Sequence, residues 1–292
     1  MFDGFETFTL PANGVPIHGV RGGSGVPLLL LHGYPQTHVI WHKIAPRLAQ
    51  HFTVIATDLR GYGDSGKPDG GDDHAHYSKR TMAADQVAVM QHFGYEQFFV
   101  AGHDRGGRVA HRMALDHPSR VRRLAVLDIA PTHFMYTTTD MEFARAYFHW
   151  FFLIQPFDVP ERMIGADVDY WMRSKLAQWG RDSSAITPEA YAEYVRCYSD
   201  PATIHASCED YRASAGIDLR HDEADLSHKL TCPLLALWGE KGFVGRKYDV
   251  LTAWRERAQD VRGGGLPCGH YLPEEAPEAT FTALHDFFTS RR

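Results

Sequence analysis

The chain has 292 residues, of which 44% are hydrophobic and 23% are charged, and its formal net charge is −6. This length and this apolar content predict one large domain, or one domain that carries an insertion. The mildly acidic balance excludes a general affinity for nucleic acids or membrane surfaces, and no apolar run approaches the roughly 20 residues that a membrane helix needs.

Strand-like and helix-like segments alternate through the first half of the chain. Residues 5–22 predict an antiparallel hairpin that turns at Asn13 and Gly14. The wholly apolar run 27–31 is typical of a strand that is buried on both faces of a sheet. The other elements predicted before residue 128 are helices over 38–50, 79–93 and 106–117 and strands over 52–56, 97–102 and 122–127. This alternation predicts a parallel sheet covered by helices.

The alternation stops near residue 132 and returns near residue 233. Between these points we predict helices, among them one over 141–153 and one over 187–198, and no buried strand. A strand over 233–238 and helices over 245–257 and 273–289 complete the pattern. The expected organisation is an α/β core made of two pieces, residues 1–137 and 219–292, interrupted by a helical cap at residues 138–218.

One motif gives the strongest indication of chemistry. The sequence Gly102-His103-Asp104-Arg105-Gly106 follows a predicted strand and opens a predicted helix. This is the setting of the G-x-S-x-G nucleophile elbow of α/β-hydrolases, where only glycines fit around the nucleophile, but here Asp104 replaces the serine. A carboxylate can displace a leaving group at saturated carbon and form an alkyl-enzyme ester. The motif predicts an α/β-hydrolase fold with Asp104 as nucleophile; a structural aspartate that caps the helix is the alternative.

An ester intermediate requires a histidine base and an acid that orients the base. The histidine comes last in the chain order of α/β-hydrolases, and His270 lies just before the last predicted helix. Asp128 follows the strand over 122–127, and catalytic groups gather at the carboxyl ends of strands in open α/β sheets. We therefore assign His270 as the base and Asp128 as the acid, with Glu240 as the alternative acid.

The elbow and the loop after the first predicted parallel strand supply further candidates. The backbone N–H groups of Tyr34 and Arg105 are expected to form an oxyanion hole during ester hydrolysis. Arg108 lies about one helical turn after Asp104, on the same side of the helix. Arg105 and Arg108 together predict a guanidinium fork for a substrate carboxylate, and the alternative is that both pair with structural carboxylates.

With these motifs the chain resembles the epoxide hydrolases and haloalkane dehalogenases of the α/β-hydrolase superfamily, and most closely the fluoroacetate dehalogenases. The resemblance covers essentially the whole chain, and its most specific part is the segment 102–108. Haloalkane dehalogenases and many epoxide hydrolases have a tryptophan after the nucleophile, where this chain has Arg105. This difference favours an acid substrate over a neutral one.

The resemblance implies that the two arginines of the elbow bind the substrate carboxylate, and it also implies a homodimer. It further implies a halide pocket made by His149, Trp150 and Tyr211, whose side chains can each donate a hydrogen bond to a departing fluoride. Simple packing against the core is the alternative for these three residues. Trp179 is a further candidate for the wall of the same cavity.

The predicted reaction is the hydrolytic dehalogenation of a small haloacid, foremost of fluoroacetate to glycolate and fluoride. It proceeds by attack of Asp104 on the carbon that bears the halogen, followed by hydrolysis of the ester with His270 as base. An epoxide hydrolase, a dehalogenase that prefers chloroacetate, and a non-enzymatic small-molecule receptor are the alternatives.

The remaining patterns concern cofactors and the cellular compartment. No glycine-rich phosphate loop is present, and the histidine-containing stretch 72–76 is typical of an exposed polar loop, so we expect no organic cofactor and no metal. The first six residues lack the pattern of a secretory signal. The four cysteines form no CxxC pair, which is typical of free thiols in a reducing compartment. We therefore expect a cytoplasmic protein.

Overall fold

The structure, a computed structural model, describes residues 1–182 and 184–290; Ser183, Arg291 and Arg292 lie outside the described residues. Its strands are β1 (Glu6–Ala12), β2 (Val15–Gly22), β3 (Val26–Leu31), β4 (Phe52–Thr57), β5 (Phe98–His103), β6 (Val121–Leu127), β7 (Leu234–Gly239) and β8 (Val261–Leu266). They form one eight-stranded sheet in the order β1-β2-β4-β3-β5-β6-β7-β8.

The pairing of the strands follows from their sequences. β1 and β2 form an antiparallel hairpin, and Asn13 and Gly14 at its turn both have positive φ, as a tight hairpin turn requires. β2 is also antiparallel to β4, whereas the pairs from β3 and β4 onward are parallel. Residues 28–31 of β3 are fully buried, which fits a strand covered on both faces. The prediction of a mostly parallel sheet is confirmed.

Helices supply the connections that parallel strands need. Before β6 they are α1 (Ala45–Leu48), α2 (Lys79–His92) and α3 (Arg105–Asp116). Between β6 and β7 the structure describes α4 (Thr132–Thr137), α5 (Met141–Ala146), α6 (His149–Phe152), α7 (Val159–Gly165), α8 (Val168–Trp179), α9 (Pro188–Tyr198), α10 (Pro201–Ala215) and α11 (Ile217–Ala224). After β7 follow α12 (Phe243–Lys247), α13 (Val250–Arg255), α14 (Leu272–Glu275) and α15 (Pro277–Thr289). None of the described helices is long and apolar enough to span a membrane.

This topology brings several loops to one edge of the sheet. The carboxyl ends of β3, β5, β6, β7 and β8 meet there, because these strands run parallel to one another. The loops that leave these ends carry Tyr34, Asp104, Asp128, Glu240 and His270. The edge where strands end is the usual position for ligand and catalytic groups in open α/β sheets.

Four of the predicted helices, over 38–50, 141–153, 245–257 and 273–289, are each replaced by two shorter elements. The segment 38–50 contains a 3₁₀ turn, His38–Trp41, and then α1, because Pro46 has no backbone N–H for a continuous helix. The prediction of one helix over 141–153 is wrong, since Tyr147 leaves the helical region with φ −117° and ψ 40°. The segment 245–257 is divided between α12 and α13, and Asp249 caps the second of these.

The sequence did not predict β8, which contains three consecutive glycines. Glycine is depleted in strands, and this run therefore has the composition of a loop. A Cβ atom at Gly263 would lie 1.8 Å from the carbonyl oxygen of Ala236 on β7, and φ at Gly263 is +152°. The close approach of β8 to β7 requires glycine here, so the residue that weakens the sequence signal is the one that permits the pairing.

Candidate active site

The sharp turn between β5 and α3 positions Asp104. Its φ of 45° and ψ of −114° place it in a region that non-glycine residues seldom adopt, as the strained turn of a nucleophile elbow requires. A Cβ atom at Gly102 would lie 2.4 Å from the carbonyl oxygen of Gly106, and one at Gly106 would lie 2.4 Å from that of His32. The glycines on both sides of Asp104 are therefore required by the close packing of the turn.

The loop after β3 lies directly against the Asp104 carboxylate. The backbone N–H of Tyr34 donates a hydrogen bond of 3.1 Å to Asp104 Oδ2. A Cβ atom at Gly33 would lie 2.5 Å from the Cβ atom of Asp104, so glycine is needed for this approach. The structure thus brings one of the two predicted oxyanion-hole donors to the nucleophile.

Asp128 and His270 form a hydrogen-bonded pair at the same edge of the sheet. His270 Nδ1 lies 2.6 Å from Asp128 Oδ2, and both side chains are buried. The backbone N–H of Gly239 donates a second hydrogen bond, of 2.9 Å, to Asp128 Oδ1. Glu240, the alternative acid, is exposed and its backbone N–H bonds to Leu266 instead. The structure therefore pairs His270 with Asp128.

The charges around the pair favour an ionised nucleophile and a basic histidine. Burial raises the pKa of the Asp104 carboxyl, but the positive charges of His270 and Arg108 outweigh it, and the net pKa lies below the usual value. Burial lowers the pKa of His270, but the hydrogen bond and charge of Asp128 outweigh this, and the net pKa lies above the usual value. His270 in turn shares the site with the carboxylate of Asp104, which adds to the rise.

A small cavity lies between this edge of the sheet and the helices of the insertion. It is narrow, since only about 10 Å³ is free for the centres of water-sized molecules. Its walls are formed by Asp104, Tyr147, His149, Trp150, Trp179 and His270. A larger groove of about 540 Å³ lies on the surface of the insertion between α8 and α9, and it shares no residue with this cavity.

The break between α5 and α6 has a consequence for the cavity. On one straight helix, residues two positions apart lie on different faces. Tyr147 and His149 nevertheless both line the cavity, because the helix ends at the first of them and restarts at the second. The irregular backbone that the sequence did not predict therefore brings aromatic side chains around Asp104.

Most of the hydrogen-bond donors of the Arg105 side chain are occupied in the structure, which the sequence did not predict. Its Nε and Nη2 atoms donate hydrogen bonds of 2.8 and 2.7 Å to the two carboxylate oxygens of Asp210, and Nη2 also bonds to Ser214. Burial lowers the pKa of the Arg105 guanidinium, but the negative charge and hydrogen bonds of Asp210 outweigh this effect, and the net pKa is raised. Only Nη1 is buried without a partner among the described residues. The expectation of a free fork is therefore corrected, since most of the Arg105 fork is occupied by Asp210.

Arg108 differs from Arg105 in having no carboxylate partner in the described part of the chain. Its Nη1 atom donates to Thr132 Oγ1 at 2.9 Å and to the carbonyl oxygen of Ala130 at 3.3 Å, and its Nη2 atom lies 3.2 Å from Met135 Sδ. Its Nε atom is buried and has no hydrogen-bond partner among the residues that the structure describes. The side chain is nevertheless buried, and this desolvation lowers the pKa of the guanidinium. A buried cation whose hydrogen-bond partners are all neutral is stabilised when an anion binds beside it.

The three aromatic residues predicted for the halide pocket lie together above the arginines. The rings of His149 and Tyr211 are 5.6 Å apart, and those of Trp150 and Tyr211 are 6.5 Å apart. The guanidinium of Arg105 lies 4.1 Å from the Tyr211 ring, and that of Arg108 lies 4.9 Å from the Trp150 ring. Burial lowers the pKa of His149 well below its usual value, so its imidazole is neutral and has one N–H to donate.

The structure also reveals contacts with the site that the sequence did not indicate. The phenol oxygen of Tyr34 accepts hydrogen bonds from Trp171 Nε1 at 2.7 Å and from the hydroxyl of Tyr198 at 2.9 Å. Tyr147, on the cavity wall, and Asp210, which holds Arg105, were also not assigned. These residues lie far from the elbow in the chain and match no motif, so no pattern in the sequence identifies them.

One cluster of possible metal ligands lies outside the cavity. His18, His38 and Asp58 place ligand atoms within 4.8 Å of one another. Asp58 Oδ1 already accepts hydrogen bonds from the backbone N–H and Nδ1 of His38, and Asp58 Oδ2 accepts one from the backbone N–H of Asp64. Since these bonds occupy the carboxylate, we interpret the cluster as a hydrogen-bonded support for the loop and assign it no metal.

Comparisons with known proteins place this chain in a family. The chain matches the model of the α/β hydrolase fold over residues 26–287. It is 46% identical to the fluoroacetate dehalogenase of a Burkholderia species, over all of this chain and 96% of that protein, and 39% identical to the soluble epoxide hydrolase of Corynebacterium sp. strain C12, over 96% of each. A crystal structure attributed to an α/β hydrolase of Nostoc sp. PCC 7120 is 64% identical and superimposes with a TM-score of 0.98 over 99% of each chain. The chain therefore belongs to the α/β-hydrolase superfamily, in the group that includes a fluoroacetate dehalogenase and epoxide hydrolases.

Proposed function

We propose that this hydrolase is a haloacetate dehalogenase, and that fluoroacetate is its foremost substrate. The observation that carries the proposal is the buried guanidinium of Arg108, which has no carboxylate partner among the described residues and lies near the Asp104 nucleophile. A buried charge is stable when it is paired. A small carboxylate substrate supplies the missing anion and places its α-carbon in a cavity that admits only a few atoms.

In the first step Asp104 attacks the carbon that bears the halogen. The substrate carboxylate binds the Nε atom of Arg108 and the Nη1 atom of Arg105, both of which are buried and have no hydrogen-bond partner among the described residues. A new bond forms between an Asp104 carboxylate oxygen and the α-carbon while the carbon–halogen bond breaks and its electron pair leaves with the halide. His149, Trp150 and Tyr211 donate hydrogen bonds to the departing fluoride, which is a poor leaving group without them.

In the second step water hydrolyses the ester. His270, oriented by Asp128, takes a proton from water, and the hydroxide adds to the carbonyl carbon of the Asp104 ester. The backbone N–H groups of Tyr34 and Arg105 stabilise the oxyanion. The N–H of Arg105 is available for this because Arg105 is the first residue of α3, and the first N–H groups of a helix have no carbonyl partner within the helix. The carbon–oxygen bond to glycolate then breaks, His270 returns the proton to the glycolate oxygen, and the Asp104 acid formed from the ester releases the second proton to solvent.

Two variants test this scheme. Asp104→Ala is expected to abolish fluoride release from fluoroacetate, measured with an ion-selective electrode. His270→Ala is expected to release one equivalent of fluoride per active site and to retain a covalent adduct on residue 104, detected by mass spectrometry of the digested protein. Sustained fluoride release by the Asp104→Ala variant, or a single equivalent without an adduct, would contradict the two-step scheme.

An epoxide hydrolase is the second candidate, and one observation favours it. Tyr147 lines the cavity and Tyr211 lies close to it, so two phenols are present near Asp104, as protonation of an epoxide oxygen requires. The unpaired charge of Arg108 favours the acid substrate, because a neutral epoxide leaves that charge without a partner. Turnover of styrene oxide without turnover of fluoroacetate or chloroacetate would decide for the second candidate. Turnover of chloroacetate in preference to fluoroacetate would retain the mechanism and change the foremost substrate.

Three further features belong to the proposal. The segment 138–218 acts as a cap that closes the cavity, the active form is a homodimer, and the protein acts in the cytoplasm. The helices α5–α10 between residues 138 and 218 support the first point, since α6, α8 and α10 carry residues around the cavity. Light scattering coupled to size-exclusion chromatography tests the second, because a mass of one chain would contradict it.

A further inference from the structure

The cap contains a buried lysine that the proposed reaction does not use. Lys175 on α8 is 1% exposed, and its Nζ atom donates a hydrogen bond of 3.0 Å to Gln178 Oε1. The ammonium lies 3.9 Å from the centre of the Phe148 ring, 4.7 Å from that of Trp171 and 5.5 Å from that of Trp179. An ammonium has three N–H donors, and ring faces stabilise a cation but do not satisfy its remaining donors.

A second buried lysine, Lys79, differs from Lys175 because it has carboxylate partners. Lys79 on α2 is 3% exposed, and its ammonium forms ion pairs with Asp210 and Asp218. Lys175 forms no ion pair within residues 1–182 and 184–290, and only one of its donors has a hydrogen-bond partner there. Burial lowers the pKa of Lys175 to about 8, so the amine still carries its proton at pH 7. Lys175 is therefore, like Arg108, a buried cation without a counterion in the described part of the chain.

Lys175 is connected to the catalytic cavity through Trp179. The Trp179 ring forms part of the cavity wall, lies 4.4 Å from the His149 ring, and has a buried Nε1 atom without a partner in the described chain. Burial is the largest cause of the lowered pKa of His149, and the positive charge of Lys175 is the second largest. The ammonium thus acts electrostatically on a residue that faces Asp104 across the cavity.

We propose that Lys175 and Trp179 form a second site for a small monovalent anion, on the cap side of the catalytic cavity. The proposal rests on the proposed function for the source of the anion: the carboxylate of a haloacid on its way in, or the halide on its way out. A cation at this point offsets the net charge of −6, which opposes the approach of any anion. It also gives the released halide a second position, away from the donors beside Asp104.

Bromide locates the site without any need for turnover. Crystals of the wild-type protein soaked in sodium bromide are expected to show anomalous scattering from a bromide in contact with Lys175 Nζ, separate from any bromide at Arg108 or Tyr211. The same peak is expected to be absent from the Lys175→Met variant. Bromide only beside Arg108 or Tyr211, or none in contact with Lys175 in the wild type, would overturn the proposal.

Binding in solution distinguishes the two sources of the anion. Wild type, Lys175→Met and the control Arg173→Met are titrated with bromide, acetate and neutral acetamide, and the fluorescence of the tryptophans is followed. Arg173 is an exposed cation on the same helix, paired with Asp169, so its loss removes a charge but no buried site. Weaker binding of bromide alone in Lys175→Met identifies the halide as the ligand; weaker binding of acetate as well identifies the carboxylate. Equal losses in both variants, or a loss for acetamide, contradict the site.

Kinetics relate the site to the reaction. The Lys175→Met variant is expected to lower kcat/KM for haloacetate by about tenfold, the lower end of the effect of a charged cleft on the association of an ion. The midpoint of thermal unfolding serves as a control for folding, because methionine has a similar length and removes an unpaired buried charge. If the wild type releases no halide from haloacids but binds bromide at Lys175, the proposed function fails and the anion site stands. If it releases halide but binds no bromide there, the anion site fails and the proposed function stands.

Discussion

Two arginines one helical turn apart have opposite environments in this protein. Arg105 donates to both oxygens of the buried Asp210, whereas Arg108 has a hydroxyl, a carbonyl and a thioether as its neighbours. Removing an ion from water costs several kcal/mol unless a counterion compensates it. Asp210 supplies that compensation for Arg105, and in the proposed reaction the substrate carboxylate supplies it for Arg108. Arg105 thus has mainly a structural partner, and Arg108 is the arginine that we propose as the main ligand of the substrate carboxylate.

Replacement of Arg108 by methionine tests this difference. We expect kcat/KM for haloacetate to fall by about 100-fold, since a hydrogen-bonded contact with a charged group contributes up to about 3 kcal/mol. The midpoint of urea unfolding should stay the same or rise, because an unpaired buried charge is removed. Arg112→Met is the matched control: Arg112 is buried but paired with Asp116 and Asp225, so its loss should lower stability and leave KM unaffected. Lower stability in Arg108→Met with an unaltered KM would contradict the assignment.

The pKa of His270 sets the direction of the pH dependence. Although burial lowers this pKa, the bond to Asp128 raises it above the usual value, and the base is active only when it is neutral. Ester hydrolysis should therefore slow as pH falls through the raised pKa, and the Asp104 ester should accumulate at low pH in rapid-quench mass spectrometry. In Asp128→Asn the acid limb of the kcat profile should move to lower pH while the maximum decreases. An acid limb that does not move in this variant would show that another group controls it.

At the scale of the elements, α8 is a helix of the insertion between β6 and β7 that contacts the loops of the candidate site at several points. Trp171 on this helix donates to the phenol of Tyr34. The carbonyl oxygen of Trp179, at its end, accepts from the backbone N–H of His270 at 3.1 Å. The helix thus supports the loop of Tyr34 and the loop of His270, so in the proposed reaction we expect its position to affect the second step more than the first.

Trp171→Phe tests this support, because it retains the ring but removes the N–H donor to Tyr34. A neutral hydrogen bond contributes about 1 kcal/mol, so we expect ester hydrolysis to slow by about fivefold. The burst of fluoride in the first turnover should keep its rate. Tyr191→Phe is the control, since this hydroxyl bonds to Asp169 on the cap surface and not to the core. A slower burst with unchanged hydrolysis would show that Trp171 acts on the first step instead.

The residues and elements that the sequence predicted are those with strong local signals. The elbow could be predicted because the glycines around Asp104 are required by steric contacts within the turn itself. The break at Tyr147 has no proline or glycine to mark it, and Tyr147 lines the cavity, so a local pattern does not reveal it. The contacts of Tyr34 with Trp171 and of Arg105 with Asp210 join residues more than 100 positions apart, and no local pattern records such pairs.

At the scale of the whole molecule, the cavity lies where the insertion meets the sheet edge. The sheet contributes Asp104 and His270 to its walls, and the insertion contributes Tyr147, His149 and Trp179. Neither part encloses the nucleophile alone. The small free volume follows from this arrangement, because bulky aromatic side chains from one layer close over the loops of the other.

The size of the cavity predicts a narrow range of substrates. Chloroacetate should be accepted, whereas 2-chloropropionate, with one more methyl group, should react at least about tenfold less efficiently in kcat/KM. Trp179→Phe removes part of one wall and should reduce this discrimination. Tyr191→Phe, in the separate surface groove, serves again as the control and should not alter the ratio. Equal rates for the two acids in the wild type would show that the cavity opens further than the structure indicates.

The hydrogen bonds to the phenol of Tyr34 also affect whether the insertion can be exchanged between related proteins. Tyr34 belongs to the core, and its two partners, Trp171 and Tyr198, belong to the inserted segment. A chimaera that receives the insertion of a relative keeps Asp104 and His270, but it keeps these two hydrogen bonds to Tyr34 only if the donor sequence brings equivalent groups. The core and the insertion are therefore coupled at Tyr34. We expect that exchange or divergence of the insertion requires compensating changes beside residue 34.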